Sequence, residues 1–82
     1  MPTVYRFAGY RAFIFTNDQR PAHVHVTGGV GEAVFSLNCP GGPTEVRESY
    51  GLSCKQLMEI KEKLDPVVDA LCRAWSEIHG GA

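Results

Sequence analysis

The sequence predicts an α+β fold: an antiparallel sheet of four to five strands with one long or kinked C-terminal helix packed on one face. Three observations carry that prediction. Short aromatic and β-branched runs, broken by Gly, Pro and Asn clusters, fill the N-terminal part of the chain. A single apolar stripe at helical spacing fills the C-terminal part. A sheet with one apolar face needs a cover, and the only amphipathic helix on offer is that C-terminal one.

Thr3 to Phe7 and Tyr10 to Thr16 read as the first two strands. Ala8-Gly9 joins them as a hairpin turn, since Gly tolerates positive φ. Asn17-Asp18-Gln19-Arg20-Pro21 is a polar turn cluster. The third strand, about 22–27, alternates apolar and polar residues as a half-buried strand does. Gly28-Gly29-Val30-Gly31 turns the chain into a fourth strand over 32–37, with Ala33, Phe35 and Leu37 on one face. An antiparallel register closed by that turn sets Thr27 opposite Glu32, His25 opposite Val34 and His23 opposite Ser36. Glu32 then lies diagonal to His25. Asn38 to Pro43 is a loop, and 44–50 is either a fifth strand or an ordered loop, its charges suiting a sheet edge.

Ser53-Cys54-Lys55-Gln56 matches a capping box. Leu57, Ile60, Leu64, Val67, Val68, Leu71, Trp75 and Ile78 then form the stripe of a helix over about 53–79. Pro66 breaks the backbone ladder inside it. Asp65 is placed to cap a second helix with Pro66 at its first position. The stripe keeps its phase across the break, so the expectation is one kinked helix or two nearly collinear ones. The helix should end at Gly80-Gly81, with His79 in its last turn.

At 82 residues the chain has room for a single domain, 1–82, with one core. The formal net charge of −1 does not support a generic basic surface for nucleic acid, although Arg6, Arg11 and Arg20 lie close together in sequence. Cys39, Cys54 and Cys72 are odd in number and widely spaced, which reads as reduced thiols in a cytosolic protein. The first residues lack the apolar core of a signal peptide, and no apolar run is long enough to span a bilayer. The expected location is therefore cytoplasmic, with no membrane partner.

His23-Val24-His25 is the most informative local feature. On a strand the two imidazoles share one face, while Val24 and Val26 take the other. The expectation is that both histidines point away from the core.

The chain resembles a family on several runs. They are Met1-Pro2-Thr3-Val4, Gly9-Tyr10-Arg11, Phe13-x-Phe15, Asn17, and the Pro-x-His-Val-His-Val run at 21–26. Glu32-Ala33-x-Phe35-x-Leu37, Gly51-Leu52-Ser53, Leu57-x-x-Ile60 and Trp75-x-x-x-His79-Gly80 extend it. Together they resemble the small bacterial proteins of the domain of unknown function 4160 family. The resemblance covers nearly the whole chain and departs from it in the segment 38–48 and at Ala22. It implies an intracellular prokaryotic protein, whose relatives often lie beside a second small protein in arrangements suggestive of toxin–antitoxin pairs. It implies no established activity.

Three functional readings follow. The first is a protein-interaction module, with a binding surface of His23, His25, Glu32, Val34 and Ser36 and a partner encoded nearby. A variant of it is a mobile-element-encoded inhibitor that acts by surface mimicry. The second is a small ribonuclease or metal-dependent hydrolase. His23 and His25 would serve as acid and base, with Arg11 or Arg20 holding a phosphate. As metal ligands, the same pair would need a carboxylate from Glu32 or Asp18, or His79 as a third ligand. The third is nucleic-acid binding without chemistry, and a homo-oligomer is compatible with any of them. No cofactor is implied beyond that divalent metal. Cys54, at the helix start, reads as an inert thiol, Cys72 as packed, and Trp75 as a core anchor.

Overall fold

Five strands pair in chain order into an antiparallel meander: β1 (Thr3–Phe7), β2 (Tyr10–Phe13), β3 (His23–Gly28), β4 (Gly31–Ser36) and β5 (Glu45–Tyr50). The computed structural model describes residues 3–15, 20–29 and 31–79. Ala8 and Gly9 both take positive φ, 45° and 82°, the two-residue geometry whose twist suits a hairpin. The segment 44–50 resolves as a strand and forms one edge of the sheet. β2 stops at Phe13, short of the expected Thr16, which lies outside the described residues. Ile14 leaves the ladder but stays in the core, fully buried.

The β3–β4 register is the one the turn predicts, with His23 opposite Ser36, His25 opposite Val34 and Thr27 opposite Glu32. Gly31 is required here, because a Cβ on it would run into the Tyr50 carbonyl of β5. Both edge pairings shift register. β1–β2 slips between Thr3 and Tyr5, and β4–β5 slips so that Val34 faces Glu48 while Phe35 faces Val46, leaving Arg47 as the extra residue. Such bulges twist an edge and blunt it against further strand pairing.

The helical region is α1 (Cys54–Leu64), one 3-10 turn (Asp65–Val67) and α2 (Val68–Ile78). The capping box forms as expected: Ser53 Oγ accepts from the Gln56 N–H at 3.1 Å, and Gln56 Oε1 accepts from the Ser53 N–H at 2.8 Å. Ile60, Leu64, Val68, Leu71 and Trp75 pack on Ala12, Ile14, Val24, Val26, Ala33, Phe35 and Leu37. Each large side chain buried there contributes roughly 1.5–3 kcal/mol. No helix among the described residues is long and apolar enough to cross a membrane.

Two long-range ties correct the sequence reading. Asp65 does not cap α2. Its Oδ1 accepts from the Thr44 N–H at 2.8 Å and the Thr44 hydroxyl at 2.6 Å, and its Oδ2 accepts from Lys61 Nζ at 2.8 Å. The 3-10 turn makes a cap unnecessary and points the carboxylate at the fully buried Thr44 instead. Burial alone pushes the Asp65 carboxyl up, but the hydrogen bonds from Lys61 and Thr44 outweigh it and hold it below its ordinary value. The second correction concerns the thiols. Cys39 and Cys72 form a disulfide, Cα–Cα 5.9 Å across a separation of 33 residues. Only Cys54 is a free, exposed cysteine. Loop 38–43 folds back onto α2 and brings together two positions whose spacing in sequence gives no sign of contact.

Side chains of opposite parity to the core form the outer face of the sheet. One cross-strand row runs Arg6, Arg11, Thr27, Glu32, Tyr50, and the next runs Phe13, His25, Val34, Glu48. Trp75 reaches only its His23 end.

Candidate functional site

The site begins with β3, whose alternation places His23 and His25 on one face with ring centroids 5.3 Å apart. His25 is half-buried, stacked on Phe13 at 5.6 Å and edge-on to Phe15 at 4.7 Å. Arg11 lies over the Phe13 ring at 5.5 Å, one ring removed from His25. Exposed Glu32 sits directly opposite Thr27 on β4, diagonal to His25 as the register requires.

His23 does not face solvent, contrary to the expectation from alternation alone. It is only 7% exposed, because the indole of Trp75 lies against it at 5.1 Å. A carbonyl oxygen only accepts, so the 2.8 Å contact between His23 Nδ1 and the Pro21 carbonyl places a proton on Nδ1. Ser36, opposite His23, is half-buried.

Trp75 is the core anchor that the stripe predicts, 2% exposed, and its indole also stacks on His79 at 3.9 Å. His79 Nδ1 donates to the Trp75 carbonyl at 3.1 Å, and its enclosed Nε2 has no hydrogen-bond partner among the described residues. All three histidines therefore lie on one continuous run of rings, Phe13, His25, His23, Trp75 and His79. Sequence reasoning missed this join. Its signal was the i, i+4 spacing of Trp75 and His79, which brings side chains together on a helix.

The run of rings does not form a cluster of converging ligands. Among the described residues no group of three or more His, Cys, Asp or Glu side chains is placed to hold a metal ion. Trp75 stands between His79 and His23, and Asp18 lies outside the described residues. Arg6 and Arg11 do face each other across the first hairpin, both exposed. Arg20 lies elsewhere, in a groove of about 890 Å³ along α2 with Asn38, Arg73, Trp75 and the Cys39–Cys72 disulfide. That groove adjoins His23 through Pro21 and Trp75, but neither His23 nor His25 lines it.

At the centre of the outer face is a small hollow of about 140 Å³, lined by Phe13, Phe15, His25, Val34, Tyr50 and the residues Glu32 and Glu48. The hollow brings His25, Glu32 and Val34 together. It leaves out His23 and Ser36, which lie farther along toward Trp75.

A search of curated proteins finds no match, and neither does a search of solved structures. A scan against protein families matches Domain of unknown function (DUF4160) over residues 9–76, a span that holds the His-x-His strand, the outer face from β2 to β5 and the helix through Trp75. On that match the chain belongs to the DUF4160 family.

Proposed function

We propose that this protein is a small interaction module that binds another protein through the outer face of its sheet. In this reading it is one member of a toxin–antitoxin-like pair whose partner is encoded nearby. The observation that carries the reading is the composition of that face: an aromatic and aliphatic centre (Phe15, His25, Val34 and Tyr50, laid over buried Phe13) within a charged rim. Protein interfaces have this anatomy, an apolar centre rich in aromatics inside a polar border. The hollow of about 140 Å³ is well below the roughly 300–1,000 Å³ of small-molecule sites. Bulges at both edges disfavour capture of a partner by strand addition, which leaves the face as the docking surface. A mobile-element inhibitor would use the same surface.

The test is co-purification of the tagged chain with the product of the adjacent gene. Val34→Asp places a charge in the half-buried centre and should weaken capture at least tenfold, with the circular dichroism spectrum unchanged. Capture that is absent for the wild type, or equal for Val34→Asp, defeats the reading.

One observation favours a second reading, hydrolysis by the histidine pair. The Nδ1 bond of His23 to the Pro21 carbonyl orients the ring and sets its tautomer, as supporting contacts do for working histidines. It predicts RNA cleavage or metal uptake that His23→Ala and His25→Ala each abolish in a folded protein. Activity that survives both substitutions rules it out.

A further inference from the structure

The outer face is electrically divided. Arg6 and Arg11 lie on β1 and β2, while Glu32 and Glu48 lie on β4 and β5, all four exposed. β3 runs between the two halves. Arg47, a cation on β5, sits at the bulge rather than in a cross-strand row.

We propose that, in the absence of its partner, this face is covered by a second copy of the same chain, related by a two-fold axis parallel to β3. The inference rests on the reading that the outer face binds protein. A rotation about that axis exchanges β2 with β4 and β1 with β5 in the facing sheet. It sets Arg11 of one copy over Glu32 of the second copy, and Arg6 over the exposed ring of Tyr50. In the next row half-buried Val34 faces the side chains that cover Phe13, which is itself only 6% exposed. Each charged contact occurs twice, once on either side of the axis. A two-fold perpendicular to the strands and passing through this row would instead set Arg11 over Arg11 and Glu32 over Glu32, so charge favours the axis parallel to β3. The strands of the two sheets stay aligned, the common arrangement for packed sheets, at a separation of about 10 Å that an Arg and a Glu side chain can bridge together.

The size of the face limits the strength of this contact. Five strands about 4.8 Å apart and about five residues long present roughly 300 Å² per copy. Stable dimers bury about 800 Å² per partner. The self-association is therefore weak and reversible, so a dedicated partner can displace it.

The test is sedimentation equilibrium of the wild-type chain from micromolar to about millimolar concentration. A concentration-dependent monomer–dimer equilibrium is expected. Arg11→Glu and Glu32→Arg should each weaken dimerisation at least tenfold, because each sets like charges face to face. An equimolar mixture of the two single variants should dimerise again, since every facing pair is then of opposite charge. The double variant should recover as well. A wild type that stays monomeric throughout, or single variants that dimerise like the wild type, overturns the proposal. The two ideas fail separately. Monomeric wild type whose Val34→Asp variant still loses the adjacent gene product removes the dimer alone. Dimers that respond to charge exchange while capture ignores Val34→Asp remove the partner reading alone.

Discussion

His23 and Trp75 meet with their ring centroids 5.1 Å apart, and this contact turns an outward strand residue into a buried one. It ties the histidine pair of the sheet to the end of α2. Through Trp75 the same contact extends to His79, so the condition of the helix end and of the candidate site are linked physically.

Trp75→Ala should therefore do more than empty the core. It removes a side chain that is 2% exposed, and such truncations cost about 3–5 kcal/mol. It also uncovers His23. Thermal unfolding should show the lower Tm, and the imidazole proton resonances of His23 and His79 should move together. An unchanged His23 signal would mean that Trp75 does not shield it.

Reduction of the Cys39–Cys72 bond should raise the number of thiols that react with a thiol reagent under native conditions from Cys54 alone to include exposed Cys39. A cross-link closing 33 residues restricts the unfolded chain by roughly 3.5 kcal/mol on the chain-entropy account. Cys72→Ser should lower stability in urea by about that amount or less. The loop should keep its shape through the Asn38 bond to the Pro43 carbonyl, which joins its two ends, and stay tied to the helical region through Thr44 and Asp65.

Acid should loosen the join between loop and helix. The Asp65 carboxyl is held below its ordinary value of 3.8 in the folded protein, so its ionised form favours folding. That contribution is complete above the unfolded value and is lost as pH falls from there through the depressed folded value. Asp65→Ala leaves the buried Thr44 hydroxyl and N–H without their acceptor and should cost about 1–3 kcal/mol at neutral pH. Its stability should then vary less with pH below about 4 than that of the wild type. A parallel pair of acid titration curves would count against this role.

Ser53→Ala removes the acceptor for the Gln56 N–H at the start of α1 and should cost about 1 kcal/mol. Gln56→Ala should cost less, since the Ser53 N–H it leaves is exposed to water. Urea unfolding of the two variants and their double mutant checks the reciprocity of the box.

Much of the fold was legible because it depends on local periodicity. The alternation in β3 and β4 and the glycine turn between them determine which residues oppose one another, and a slip of one residue would have put Val24 and Phe35 in water. The capping box was legible for the same reason, since donor and acceptor are three residues apart. The candidate site was legible only in part. His25, Glu32 and Val34 follow from register, whereas Phe13 stacks on His25 because β2 pairs with β3 across a segment whose length and path no periodicity reports.

By itself, then, the sequence determined the α+β class, the register at the His-x-His strand and the apolar stripe of the helix, all of them consequences of side-chain direction repeating every two or every 3.6 residues. Tertiary structure alone decided the bond between Cys39 and Cys72, the turn of Asp65 toward Thr44, and the burial of His23 under Trp75. Those contacts join residues far apart in the chain. They arise from how the covering helix and the 38–44 loop settle on the sheet, a matter of packing in three dimensions.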